Sequence, residues 1–340
     1  MKLIMTGLDH NRADLAVREM FALTKEKTER TLTAILNSGA AGGLVIISTC
    51  NRTELYATVP DDCKLDPTAA LCDALCRDCR DYEQYFTERA DERAIRHLCR
   101  TASGLDSQIL GDDQIITQTR EALELSRGLG CTDGYIETMF NTAIQAAKSI
   151  KTNVLLRTLG LDSVPSGAVA KLKTVCSLAG KKAVVIGNGQ MGRLVSELLI
   201  REGADVTVTL REYKKGVIQV PKHADTIGYS ERYKAVGMAD IVISATASPH
   251  YTLYYEQLSV LSKLPEYFID LAVPRDIEPS VGQIPGVTLM TIDDISGEGR
   301  VLPIESLFRI EAIISEHVEK YYRWLMYKEK TLAEAAGGGA

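Results

Sequence analysis

The sequence predicts a mixed α/β protein of two domains followed by one long helix, and three observations carry that expectation. The first is Lys182-Ala183-Val184-Val185-Ile186, a short β-branched strand that runs into Gly187-Asn188-Gly189-Gln190-Met191-Gly192 and then into a helical pattern through Leu194, Val195, Leu198 and Leu199. In G-x-G-x-x-G between strand and helix, the first glycine allows a tight turn and the second lets the backbone approach a pyrophosphate. The third allows close helix–strand packing, with the anion at the helix N-terminus. The second observation is that residues 1–150 alternate short strands and helices with no phosphate loop, an α+β pattern. The third is an apolar stripe at three- and four-residue spacing, Leu307, Ile310, Ile314, Val318, Tyr321 and Leu325, which marks one amphipathic helix.

Taken in order, residues 2–8 read as a strand and 13–20 and 25–37 as helices. Strand-like runs at 44–47 and 55–59 flank Cys50, and helices follow near 67–79 and 91–102. Residues 114 to about 156 read as two long helices broken at Gly128-Leu129-Gly130. A polar stretch containing Pro165 marks a linker, placed at 151–165. Residues 166–300 form the Rossmann-type domain. Further strands are expected at 205–210, 240–245 and 266–271, with a weaker one at 287–292, and alternation with helices implies a parallel, doubly wound sheet. Ser244-Ala245-Thr246-Ala247 falls at the C-terminal end of one such strand, where open sheets bind ligands. Residues 301–336 are the long helix, expected to pack on the other domains or on a partner chain. Residues 337–340 read as a flexible tail.

Composition bounds the function. A chain of 340 residues with 45% hydrophobic and 25% charged residues fits an ordinary globular protein. The N-terminus has no apolar core of the signal-peptide kind, and no window approaches the roughly 18 apolar residues of a spanning helix. A cytoplasmic location without membrane attachment is expected, with the eight cysteines as reduced thiols. A net charge of −6 argues against a generally cationic nucleic-acid binder but leaves room for a local basic face that meets RNA. Cys72, Cys76 and Cys79 have a spacing that can hold an iron–sulfur cluster. They lie in a glycine-free, helix-like segment, so a thiol stripe on one helix face is expected and no metal.

The candidate chemistry centres on Ser48-Thr49-Cys50-Asn51-Arg52-Thr53-Glu54. A thiol at a strand-to-turn junction beside a guanidinium can be exposed and have its pKa lowered, which suits a nucleophile. The alternative is a small buried cysteine in a hairpin. In the second domain the strand at 205–210 ends in Arg211. An acidic residue there would accept from the ribose 2′-hydroxyl of NAD, whereas an arginine suits the 2′-phosphate of NADP, with Lys214 and Lys215 adding positive charge.

Together these pieces resemble the glutamyl-tRNA reductase family, which makes the first committed intermediate of tetrapyrrole (porphyrin and haem) synthesis from glutamate. The resemblance spans about residues 3–325. It rests on the 48–54 run, on His97-Leu98-Cys99-Arg100-Thr101-Ala102-Ser103-Gly104-Leu105-Asp106-Ser107, on Ile109-Leu110-Gly111-Asp112-Asp113-Gln114-Ile115, similar to the family's G-E-x-Q-I, and on Ile269-Asp270-Leu271-Ala272-Val273-Pro274-Arg275-Asp276-Ile277. It implies that residues 1–150 are the catalytic, glutamyl-binding domain and 166–300 the NADP-binding domain. Cys50 would attack the ester of glutamyl-tRNA(Glu) to give a thioester, and NADPH would reduce that thioester to glutamate-1-semialdehyde. By the same resemblance His97 would protonate the leaving ribose oxygen or hold the thiolate, and His10 is a weaker candidate of that kind. Thr49, Asn51, Arg52, Ser107, Asp112, Asp113, Gln114 and Gln118 would contact substrate, with Arg52 the choice for a bidentate carboxylate contact. The dinucleotide would lie on Gly187, Asn188, Gly189, Gln190, Met191, Gly192 and Arg211. Hand-off of the semialdehyde to an aminomutase is expected.

The chain also departs from the family pattern. Asp113 stands where a proline is expected. Family members of full length carry a dimerisation domain beyond the long helix, whereas this chain stops at residue 340, which puts the usual homodimer in question. Two other readings stay open: a catalytically weak relative that binds tRNA or a partner enzyme, and a different NADP-dependent Rossmann oxidoreductase.

Overall fold

Eight residues from the N-terminus onward, β1 (Lys2–Asp9), form the middle of an antiparallel sheet. The structure, a computed structural model, describes the chain except for residues 64, 109, 113, 155, 157–162, 212–218, 296–301 and 338–340 and the side chains of 335–337. Asp113, Lys214, Lys215 and residues 155 and 157–162 of the expected linker fall outside the described residues. The chain divides into two compact units, Met1–Arg157 with Gly299–Ala340, and Thr158–Glu298.

In the first unit β1 is followed by α1 (Leu15–Phe21) and α2 (Lys25–Asn37), capped by the side chains of Asp14 and Thr24. Next come β2 (Gly43–Ser48), β3 (Arg52–Val59), α3 (Pro67–Ala74), β4 (Thr87–Ala90), α4 (Asp91–Ala102), α5 (Gln114–Gly128) and α6 (Gly134–Asn153). Among the described residues the sheet order is β2-β3-β1-β4. β1, β2 and β3 are buried along both faces because both faces are covered, whereas the short β4 is partly exposed. Leu3, Met5, Val45, Ile47 and Tyr56 point to α4 and α6, while Ile4, Leu44, Ile46, Leu55 and Ala57 point to the core shared with Val17, Phe21, Leu32 and Leu71.

The second unit begins with α7 (Val164–Val175), capped by Ser163, and continues through β5 (Lys182–Ile186), α8 (Gln190–Arg201), β6 (Asp205–Leu210), β7 (Asp225–Gly228), α9 (Arg232–Val236), β8 (Ile241–Ser244), α10 (Tyr255–Ser259), β9 (Tyr267–Asp270), β10 (Thr288–Thr291) and α11 (Ile292–Ile295). The strands pair in parallel in the order β10-β9-β8-β5-β6-β7. This is the doubly wound order, with its switch point between β5 and β8.

The chain then re-enters the first unit as α12 (Ile304–Gly337). Ile310, Ile314, Val318 and Tyr321 of the stripe are buried in the core shared with α4 and α6, while Leu307 stays largely exposed.

The cysteine-rich helix is shorter than expected. α3 stops at Ala74, Cys76 takes a left-handed backbone with φ of 55°, and Cys79 starts a short 3-10 turn. The three thiols therefore share no helix face: Cys72 is buried, Cys79 half-buried and Cys76 exposed. Among the described residues no three His, Cys, Asp or Glu side chains are grouped to hold a metal ion, and no helix is long and apolar enough to cross a membrane.

Candidate active site

Cys50 sits in the turn that joins β2 to β3. The register Ser48↔Thr53 leaves Thr49, Cys50, Asn51 and Arg52 to close it. Thr49 N–H donates to the Arg52 carbonyl at 2.8 Å, and Asn51 N–H donates to Thr49 Oγ1 at 3.2 Å. The turn is clamped from outside as well. His10 N–H donates to the Asn51 carbonyl at 3.0 Å, and buried Arg18 donates from Nη1 to the Cys50 carbonyl at 2.9 Å. Thr49 thus spends its hydroxyl on the turn, and His10 and Arg18 fix the backbone around the thiol. Asn51 is buried, and its Oδ1 has no partner among the described residues.

Cys50 keeps partial exposure, yet its thiol does not have the lowered pKa expected from an adjacent arginine. Burial pushes it up to about 11, the Asp112 carboxylate adds to the rise, and Arg18 and, more weakly, Arg52 oppose it. Arg52 fails to dominate because it faces the interior. It is 1% exposed, pairs from Nη1 with Glu54 Oε1 at 2.8 Å and Thr101 Oγ1 at 3.1 Å, and donates from Nη2 to the Asp106 carbonyl. The residue expected to clamp a substrate carboxylate is therefore buried and tied through its Nη atoms to Glu54, Thr101 and the Asp106 carbonyl.

Glu54 is the hub of that network. Its Oε1 also meets His97 Nε2 at 2.8 Å, and Tyr56 OH donates to its Oε2 at 2.7 Å. Burial alone would raise its pKa, but His97, Arg52 and the hydrogen bonds from His97 and Tyr56 outweigh it and hold the carboxyl well below the glutamate range. The same surroundings push the Tyr56 hydroxyl far up, through burial first and the Glu54 charge second. His97 is 6% exposed, with Nδ1 at 3.9 Å from Asp106 Oδ2. Arg52 and His97 therefore meet through Glu54, a residue inside the quoted motif to which the sequence reading gave no role.

Asp112 caps α5, accepting from Gln114 N–H at 3.0 Å, and its carbonyl accepts from Lys151 Nζ at 3.2 Å. Ser107 and Gln114 are half-buried. Gln118 lines a different hollow, a groove of about 780 Å³ between α2, β2 and α5, which reaches Ser48 but is not lined by Cys50, Asn51 or His97.

In the second unit a cleft of about 200 Å³ opens at the C-terminal ends of β5, β6 and β8. It is lined by Gly187, Asn188, Gly189, Arg211, Tyr229 and Thr246, among others. Its geometry fits a dinucleotide. Gly187 has φ of 109°, and a Cβ there would lie 2.5 Å from the Ala245 carbonyl oxygen; one on Gly192 would collide with the Gly187 carbonyl. A Cβ on Gly189 would meet nothing within 4 Å among the described residues. Gln190 and Met191 open α8. Asn188 donates from Nδ2 to the Gln219 carbonyl at 2.9 Å, while its buried Oδ1 has no partner among the described residues. The cleft floor is held by Asp276, which accepts from Ser244 Oγ at 2.8 Å, Thr246 N–H at 2.7 Å and Thr246 Oγ1 at 2.5 Å. Burial raises the Asp276 carboxyl, and burial with the Asp276 charge raises Asp270 well above the aspartate range. Sequence reasoning assigned neither Asp276 nor Tyr229.

A doubly wound sheet with this glycine cradle, in one chain with a unit that presents a cysteine in a clamped hairpin, defines a dinucleotide-binding protein of the oxidoreductase class. Residues 6–154 match the sequence model for the glutamyl-tRNAGlu reductase N-terminal domain, and residues 168–298 match that for shikimate/quinate 5-dehydrogenase, so a nicotinamide cofactor is implied. The chain belongs to the glutamyl-tRNA reductase family. It is 40% identical to the glutamyl-tRNA reductase of Alkaliphilus oremlandii, over 97% of this chain and 98% of that one. It is 41% identical to the enzyme of that name from Acetivibrio thermocellus, over 97% and 99%. Among solved structures, glutamyl-tRNA reductase from Methanopyrus kandleri matches with a TM-score of 0.50 at 28% identity, covering 97% of this chain and 82% of that one.

Proposed function

We propose that this chain reduces glutamyl-tRNA(Glu) to glutamate-1-semialdehyde with NADPH, through a thioester on Cys50, as the first step of tetrapyrrole synthesis from glutamate. The observation that carries the reading is Cys50 in its clamped turn, in front of the buried Arg52–Glu54–His97 network and in the same chain as a dinucleotide cradle.

Cys50 Sγ attacks the ester carbonyl, the acyl–oxygen bond breaks, and the terminal ribose of the tRNA leaves with a proton. Covalent capture divides a hard reduction into two easier steps, because a thioester accepts hydride more readily than an ester. His97, oriented by Glu54, passes the proton to the leaving oxygen. A reduced nicotinamide held by the glycine turn of the second unit would supply a hydride to the thioester carbonyl; the carbon–sulfur bond then breaks as the aldehyde forms, and Cys50 is freed as the thiolate. Arg52 acts as a positioning residue through Glu54 and the Asp106 carbonyl. The glutamyl group carries a free α-ammonium, a donor that matches the unpartnered Asn51 Oδ1 and the Asp112 carboxylate. Pairing that ammonium with Asp112 cancels a charge that holds the thiol protonated, so substrate helps to activate its own nucleophile. Thr49, Ser107 and Gln114 complete the polar surroundings on this reading, Gln118 lying in the separate groove, and Arg211 takes the 2′-phosphate that selects NADPH. Because an amino-aldehyde is reactive in water, the product passes to an aminomutase, and failure to co-purify with an aminomutase at any salt concentration overturns that hand-off.

The test is a single-turnover reaction with glutamyl-tRNA and NADPH, comparing wild type with Cys50→Ser. Semialdehyde from wild type and none from the variant is the expected result. Equal product from both excludes the thioester route, and no product from wild type excludes the activity.

A further inference from the structure

The strand least visible in the sequence, β7, places one aromatic ring at the nucleotide cleft. Tyr229 follows Gly228 at the C-terminal end of β7, beside the end of β6, where Arg211 stands, and both residues line the cleft. The Arg211 guanidinium lies 5.2 Å from the centroid of the Tyr229 ring. That ring is itself held. Arg232 stacks at 4.3 Å from Tyr229 and 4.6 Å from Tyr233, donates from Nε to the Thr252 carbonyl at 2.8 Å and from Nη1 to the Tyr229 carbonyl at 3.2 Å. Two cations thus share one aromatic ring at the rim of the cleft, one tied to backbone and the other lining the cavity.

Resting on the dinucleotide reading above, we propose that Tyr229 is a specificity-determining residue: its ring fixes the Arg211 guanidinium where the 2′-phosphate of NADPH arrives, with Arg232 locking the ring. An arginine side chain free in solution loses rotamer entropy when it binds phosphate, and a guanidinium already stacked on a ring has lost much of it. Cation–π attraction requires the ring face and not the hydroxyl. The contribution of Tyr229 therefore concerns the phosphate that distinguishes NADPH from NADH and leaves the pyrophosphate contacts of the glycine turn untouched.

The experiment measures dissociation constants of the full-length protein for NADPH, NADH and adenosine 2′,5′-bisphosphate by titration calorimetry, for wild type, Tyr229→Ala and Tyr229→Phe. Tyr229→Ala weakens NADPH and the bisphosphate by about tenfold and changes NADH by less than about twofold, whereas Tyr229→Phe keeps the wild-type preference. Equal weakening of NADPH and NADH in Tyr229→Ala, or loss of preference in Tyr229→Phe, overturns the proposal while dinucleotide binding stands. Wild type that binds neither dinucleotide overturns both.

Discussion

Cys50 shows how a residue's neighbours in space can overrule its neighbours in sequence. Arg52, two positions away, predicts an activated thiolate, but Glu54 draws that guanidinium inward and leaves burial and Asp112 to raise the thiol to about 11. The alternation of β3 brings Arg52 and Glu54 to one face, and Glu54 then meets His97, 43 positions away. The motif was legible because its residues are contiguous; the network was not, because half of it arrives from α4. The thiol makes a prediction with a definite sign. A group whose folded pKa is raised is mostly protonated below that value, so alkylation of Cys50 by iodoacetamide stays slow at neutral pH and rises toward pH 11. Asp112→Asn retains an oxygen for the Gln114 N–H and removes the charge that raises the thiol, so the midpoint of the alkylation profile falls by roughly one pH unit. Arg18→Gln moves it the other way. Mass-resolved alkylation of Cys50 across pH 7–11 checks both, and an unchanged profile in Asp112→Asn refutes the electrostatic account.

Among elements, the legible ones are those with strong periodicity or a local signal. α2, α4, β5 and β6 follow from apolar spacing and, for β5, from the glycine turn behind it. β4, Thr-Glu-Arg-Ala, and β7, Asp-Thr-Ile-Gly, are four residues each and carry little apolar pattern; they are strands because a neighbouring strand offers its edge. The overlong reading of α3 failed for the converse reason: apolar and cysteine spacing continued past Ala74 while the backbone turned at Cys76. α12 is the element whose place was least determined, since a stripe states that a face is buried and not against what. It is buried against α4 and α6, where Ile314 is 0% exposed. Ile314→Ala therefore costs about 2–5 kcal/mol of unfolding free energy, whereas Ile304→Ala, at a position 71% exposed, costs less than about 0.5 kcal/mol. Denaturant titrations that follow the single tryptophan, Trp324 on α12, report both. Equal small effects would mean that the helix adds nothing to the fold of the first unit.

At the scale of the whole molecule, the two units divide the chemistry, and the division can be cut without breaking either fold. Cys50 and its polar network belong to the first unit, and the glycine cradle to the second. On the proposed route, acyl transfer to Cys50 requires no dinucleotide, whereas reduction does. Gly189 is the position at which to separate them. Its φ of −78° is open to any residue, and a Cβ there meets nothing within 4 Å among the described residues, so a side chain's Cβ strains neither the turn nor the described packing. That side chain occupies the space through which a pyrophosphate reaches the backbone. Substitution at Gly187 or Gly192 would be ambiguous, because a Cβ at either collides with backbone. Gly189→Val is therefore expected to keep its thermal unfolding midpoint within about 2 °C of wild type, a shift below about 1 kcal/mol. It weakens NADPH by at least about tenfold, still accepts labelled glutamate from glutamyl-tRNA onto Cys50, and makes no semialdehyde. Trapping the labelled enzyme by acid quench, and comparing it with Cys50→Ser, reads the two half-reactions apart. Loss of the labelled enzyme in Gly189→Val, with its folding intact, would mean that the nucleotide unit takes part in acyl transfer as well, and the assignment of one step to each unit would fall.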